Sequence, residues 1–86
     1  MAKITIYSKD YCPYCVKAKN LLVRKGQEAH IEVIDIGHNE ALQKEMIEKS
    51  GGRKTVPQIF IGDTHVGGCD DLHALEAAGN LNALLE

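Results

Sequence analysis

The sequence predicts an α/β fold, a four-stranded mixed sheet flanked by helices in the order β-α-β-α-β-β-α. Short apolar runs of strand length alternate with stretches of helical period. Gly62-Asp63 separates two strand-like runs, the pattern of a tight antiparallel hairpin. At the junction of the first strand and first helix stands Cys12-Pro13-Tyr14-Cys15. With 86 residues the chain has room for one modest core, and residues 1–86 read as a single domain without linker, repeat or low-complexity segment.

The first strand is the apolar run Ile4-Thr5-Ile6-Tyr7. Cys12 takes the cap position of the following helix, and Pro13 the first helical position, where a missing N–H costs nothing. At 100° per residue Cys15, Ala18 and Leu22 form one stripe with Leu21 at its edge, so Cys15 is expected inside and Cys12 outside. Gly26 supplies the stop. Ile31 to Ile36, with Val33 and Ile34, reads as a buried strand. Asn39 caps a second helix reaching about Ser50, with Leu42 and Met46 inward and Gly51-Gly52 ending it. Gln58 to Ile61 and Thr64 to Val66 make the hairpin. A last helical segment starts near Cys69 or Asp70, and Gly79-Asn80 is a point where it can break in two.

Two thiols three residues apart at a helix start have Cβ atoms roughly 5–6 Å apart. A small local adjustment therefore lets the sulfurs bond and separate without refolding the chain. Unsatisfied N–H groups of the first turn and the positive end of the helix dipole stabilise a thiolate at Cys12, and Lys9 adds a cation. The motif thus points to thiol redox chemistry, with Cys12 as attacking nucleophile and Cys15 as resolving thiol. A structural zinc site would need four ligands, and neither Cys69 nor His30, His38, His65 and His73 has the spacing of a second half. No metal is expected.

The net charge of −2 conceals an asymmetry. Residues 1–26 carry six basic groups against Asp10 alone, whereas the remaining sixty carry four basic and eleven acidic. A positive surface around a thiolate favours a small anionic substrate. Nucleic acid is not an expected partner, since no groove-reading motif or interleaved aromatic pattern occurs. Met1-Ala2-Lys3 runs straight into a strand, so neither signal peptide nor membrane span is expected, and a reducing, cytoplasmic setting is. The odd count of three cysteines agrees with thiols used for chemistry rather than for a disulfide scaffold.

Two further loops stand out. Thr55-Val56-Pro57 precedes the hairpin, where a proline removes a ladder donor. Gly67-Gly68-Cys69-Asp70-Asp71 puts flexible backbone before a helix start whose N–H groups can receive a carboxylate. Asp70 and Asp71 read either as helix caps or as ligand contacts. Cys69 reads either as a small packing residue or as a secondary thiol open to modification.

Together Lys9, Cys12-Pro13-Tyr14-Cys15, Thr55-Val56-Pro57 and Gly67-Gly68-Cys69-Asp70-Asp71 resemble, in order and spacing, the glutaredoxin family, specifically its small bacterial dithiol class. The resemblance implies a thioredoxin fold, a cis peptide before Pro57, and reduction of protein disulfides and glutathione mixed disulfides. It implies glutathione as cosubstrate with no tightly bound cofactor, glutathione reductase acting indirectly through glutathione, and a monomer. It also implies a glutathione site. Asp71, with Asp70, would meet the γ-glutamyl amine, while the backbone N–H groups of both receive the γ-glutamyl carboxylate. Lys9, with Arg53 or Gln58 as further candidates, would meet the glycyl carboxylate. Val56, beside Thr55 and Pro57, would pair with the cysteinyl peptide, and Tyr14 would lie along the groove.

Two rivals differ in class. One is a glutaredoxin-like hydrogen donor reduced by thioredoxin reductase, against which Lys9, Asp70 and Asp71 count because they suit the ends of glutathione. The other is an iron–sulfur or metal-binding module using Cys12 and glutathione across a dimer, and Pro13 resembles the dithiol-reductase branch instead.

Overall fold

The computed structural model describes residues 3–10 and 12–85. Strand β1 (Ile4–Ser8) leads into helix α1 (Pro13–Arg24), and a 3₁₀ turn at Glu28–His30 precedes β2 (Ile31–Asp35). Helix α2 (Glu40–Lys49), the hairpin β3 (Gln58–Ile61) and β4 (Thr64–Gly67), and helices α3 (Cys69–Ala77) and α4 (Leu81–Leu85) complete the order. The sheet runs β2-β1-β3-β4. β1 is parallel to β2, opposite Ile6–Val33, and antiparallel to β3, opposite Ile6–Ile59.

Alternation along β1 divides the core between the two faces of the sheet. Ile4 and Ile6 join Ala18, Leu21 and Leu22 of α1, Ile59 and Ile61 of β3, and Leu72, Leu81 and Leu85 of α3 and α4. Tyr7 points the other way, against Ile36 and Met46, and its Oη donates to Glu45 Oε2 at 2.8 Å. Burial, reinforced by that carboxylate, pushes the Tyr7 phenol up to about 12. On the first face Lys25 pairs with Glu76 at 3.0 Å, joining the end of α1 to α3.

Helix ends follow the predicted punctuation. After α1, Gly26 takes φ 77°, and the N–H groups of Gly26 and Gln27 donate to the carbonyls of Val23 and Leu22. This reversal supplies donors to the last carbonyls of the helix and needs a residue that tolerates left-handed backbone. The same pattern closes α2 at Gly51 and α3 at Gly79. Asn39 Oδ1 accepts from Leu42 N at 3.0 Å, as expected of a cap. Gly79-Asn80 does split the C-terminal segment into α3 and α4.

β2 departs from the expected buried strand. It lies at the edge of the sheet, and Val33 is 46% exposed although its side chain shares the α1 face with its partner Ile6. The helices pack over β1 and β3 and leave this end of β2 uncovered. Apolar character in an edge strand therefore does not report burial.

The contrast between register partners is measurable. Ile6→Ala should lower the unfolding free energy by about 2–5 kcal/mol, because it opens a cavity between sheet and α1. Val33→Ala should cost about 1 kcal/mol or less. Urea unfolding midpoints at constant slope give both values, and equal losses would contradict the described packing.

Candidate active site at the start of helix α1

Cys12 has extended backbone (φ −106°, ψ 97°), and helical geometry begins at Pro13. Its carbonyl accepts from Cys15 N and Val16 N, and its Sγ accepts from Cys15 N at 3.2 Å. Cys12 therefore serves as the side-chain cap of α1, with sulfur standing where Ser or Asp oxygen usually stands. One amide and the positive end of the helix face this sulfur. Cys12 is half-exposed and Cys15 is 7% exposed, in the order expected from the helical projection.

Burial dominates the chemistry of Cys15. Loss of solvent, then the hydrogen bond with Cys12, push its thiol up to about 12, and a backbone hydrogen bond from Lys9 only partly offsets this. Cys15 is thus a protonated thiol at neutral pH. All three cysteines are free thiols.

Two grooves meet at this turn. The smaller, about 170 Å³, gathers Tyr14, Thr55, Val56, Pro57, Asp70 and Asp71 together with Arg53, Gly68 and Cys69. It brings together six of the seven residues that the resemblance assigns to a glutathione site. The Val56-Pro57 peptide is cis, as expected, and the Val56 carbonyl lies 4.0 Å from Cys12 Sγ. The seventh, Lys9, lines the other groove, about 570 Å³, with Cys12 and Cys15.

Arg53 and Gln58, the further candidates for the glycyl carboxylate, are both engaged with partners inside the protein. Arg53 Nη1 is 3.1 Å from Asp71 Oδ2, so it is engaged with the carboxylate assigned to the opposite end of the ligand. Gln58 is fully buried; its Nε2 donates to Thr55 O and Oγ1 at 3.0 and 3.3 Å, and its Oε1 lies 2.8 Å from His65 Nε2. Gln58 shapes the Thr55 turn from beneath. Nothing in the local sequence separates a glutamine that braces a loop from one that faces a ligand, so only the strand register settles its role.

Asp71 caps a helix, one of the two roles left open for it, and its side chain is exposed. Gly68 N donates to its Oδ2 at 2.8 Å, closing the start of α3. This N–H first, then Arg53, hold the Asp71 carboxyl below the usual carboxylate range. Gly67, at φ 114°, lies so close that a Cβ there would run into the Asp71 carboxylate. Asp70 is exposed in the same first turn. Cys69 is 6% exposed and packs in the core, with Sγ 3.4 Å from His73 Nδ1, and burial pushes its thiol up. Packing thus accounts for Cys69.

A half-exposed and a buried thiol sharing one helix start, on a sheet of this topology, define a thiol–disulfide oxidoreductase of thioredoxin-like fold. Comparison with known proteins narrows the class. Residues 4–66 match the family model for Glutaredoxin. The chain is 52% identical over 86 residues to glutaredoxin 3 of Escherichia coli, covering 100% of each. It aligns with the solution structure of the Brucella melitensis glutaredoxin at a TM-score of 0.83 and 54% identity, over 99% of this chain and 89% of that one. A buckwheat glutaredoxin crystallised as a glutathione complex aligns at a TM-score of 0.84 and 32% identity, over 98% of this chain and 76% of that one. The chain belongs to the glutaredoxin family.

The two thiols should separate in a labelling experiment. Iodoacetamide should modify Cys12 of the reduced protein at neutral pH, while Cys15 labelling climbs only as pH approaches about 12. Mass mapping of the adducts reads each site, and a Cys15 inflection near its unperturbed value would contradict the buried, protonated thiol.

Proposed function

We propose that this chain is a glutathione-disulfide oxidoreductase that reduces protein disulfides and glutathione mixed disulfides through Cys12 and Cys15. The observation that carries the reading is the division of the pair: Cys12 Sγ is half-exposed and receives the Cys15 amide, whereas Cys15 is a buried thiol raised to about 12. Nucleophile and resolving thiol are thereby distinct.

Cys12 thiolate attacks one sulfur of a protein disulfide. A Cys12–substrate disulfide forms, the substrate bond breaks, and the second substrate sulfur leaves as a thiolate that takes up a proton. Cys15 then gives up its proton and attacks Cys12 Sγ, which releases the first substrate sulfur and leaves the Cys12–Cys15 disulfide. Two glutathiones reduce that disulfide and become glutathione disulfide, which glutathione reductase recycles. With a glutathionylated protein, Cys12 takes the glutathionyl group and expels the protein thiol. A second glutathione then frees Cys12, with no part played by Cys15.

Glutathione has two carboxylates and one ammonium, and the groove beside Cys12 has groups matched to them. Asp71, with Asp70, suits the ammonium, and the first N–H groups of α3 suit the γ-glutamyl carboxylate. Val56 offers backbone to the cysteinyl peptide, flanked by Thr55 and Pro57, and Tyr14, 60% exposed, suits the side of the groove. Lys9 is the cation for the glycyl carboxylate. Binding the ammonium at Asp71 requires Arg53 to share or surrender its contact with that carboxylate. We further infer that residues 1–86 act as one domain and one monomer, without a tightly bound cofactor, in a reducing compartment such as the cytoplasm. No described helix is long and apolar enough to cross a membrane.

Cys12→Ser should abolish both activities in an NADPH-coupled assay with glutathione and glutathione reductase. Cys15→Ser should lose reduction of protein disulfides yet keep removal of glutathione from a mixed disulfide, and equal loss of both would contradict the assignment. Asp71→Asn should raise the KM for glutathione about tenfold or more, the worth of one hydrogen bond to a charged group. A fall in melting temperature with glutathione kinetics unchanged would assign Asp71 to capping alone.

A further inference from the structure

Two grooves flank the start of α1, and apart from Lys9 the proposed glutathione contacts use only the smaller. The larger, about 570 Å³, is lined by Cys12, Pro13, Val16 and Val33, with Lys9 and Lys19 as its cations and Asp10 as its carboxylate. Val16 is 59% and Val33 46% exposed. With Tyr14, which borders the smaller groove, they are the exposed large hydrophobic residues among those described. Exposed apolar side chains scattered singly mean little, but gathered around one reactive sulfur they mark a contact surface.

Val33 shows how the fold makes this surface. Register pairs it with Ile6, which faces the core beneath α1, yet β2 is an edge strand and α1 does not reach across it. An apolar residue on the core face is thereby left in water, opposite the exposed Val16 flank of α1. We propose that this groove docks the polypeptide of a disulfide substrate, seating an aliphatic side chain next to the substrate cysteine against Val16 and Val33 and an acidic neighbour against Lys19.

The groove has room for a few residues of extended chain. Glutathione has no aliphatic side chain to cover the two valines, whereas a protein substrate does. The charge preference follows from two lysines against one aspartate, in the part of the chain that carries six basic groups and one acidic. Among the described residues neither Lys9 nor Lys19 takes part in an ion pair. The proposal rests on the assignment of Cys12 and Cys15 made above and adds a specificity surface to it. In the docked complex the redox step is unchanged: the substrate disulfide gains two electrons and two protons as Cys12 and Cys15 become a disulfide.

Single-turnover reduction by the pre-reduced protein tests the groove without glutathione, so a failure of the glutathione reading leaves the test intact. The probes are three peptide disulfides whose cysteine neighbours are Leu and Glu, Ser and Glu, or Leu and Lys, with bis(2-hydroxyethyl) disulfide as a small neutral control. The wild type should reduce the Leu/Glu peptide fastest. The double variant Val16→Thr, Val33→Thr should lose about tenfold on that peptide and nothing on the small disulfide. Lys19→Glu should reverse the preference between the Glu and Lys peptides. Equal rates on all three peptides, or unchanged rates in the double variant, would overturn the proposal. A concentration-dependent dimer dissolved by the same valine substitutions would assign the groove to a second copy of the chain and overturn it equally. Reaction with none of the disulfides, the small one included, would instead refute the underlying cysteine assignment and the groove with it.

Discussion

The amide N–H of Cys15 points at the sulfur of Cys12, and the rest of the site depends on that contact. A helix start must find partners for its first N–H groups, and here a thiol is the partner. The arrangement requires Cys12 outside the helix in extended backbone and Cys15 one turn inside it. Pro13 meets the requirement at no loss of hydrogen bonding, since its position has no use for an N–H. Burial of Ala18, Leu21 and Leu22 against β1 and β3 then holds the helix in one rotation. That rotation sends Cys15 inward and leaves Cys12 at the surface.

Opposite properties in two chemically identical side chains are the outcome. Solvent loss keeps the Cys15 proton in place, while Cys12 lines the larger groove and lies 4.0 Å from the Val56 carbonyl. A second helix start, that of α3, stands across the smaller groove with its own cap already made by Asp71. The Arg53–Asp71 pair balances charge there. The two grooves differ in kind: one is small and rich in backbone and carboxylate groups, the other larger, with exposed valines and two lysines.

Much of this could be read from the sequence because the signals were local. Helix stops at Gly26, Gly51 and Gly79, the Asn39 cap, the Gly62-Asp63 hairpin and the stripe through Cys15 each depend on residues within a few positions of one another. Long-range relations were harder. Val33 belongs to an apolar run that suits a central strand, and only the strand order β2-β1-β3-β4 reveals an edge. Arg53 and Asp71 lie far apart in the chain, and no periodicity couples them. Gln58 opens a strand as a polar residue would at a surface, yet the turn at Thr55 and the ring of His65 fold over it and make it core. Of the proposed glutathione contacts, Lys9 alone falls in the groove on the other side of the cysteines, a partition that chain order does not express.

The central claim is a division of labour between two sulfurs at one helix start. Mixing the fully reduced protein with a limiting amount of glutathione disulfide, quenching with acid at increasing times and mapping the modified peptides observes it directly. A glutathione adduct on Cys12 should appear first, then decline as the Cys12–Cys15 disulfide grows at its expense. An initial adduct on Cys15 or Cys69 would contradict the account.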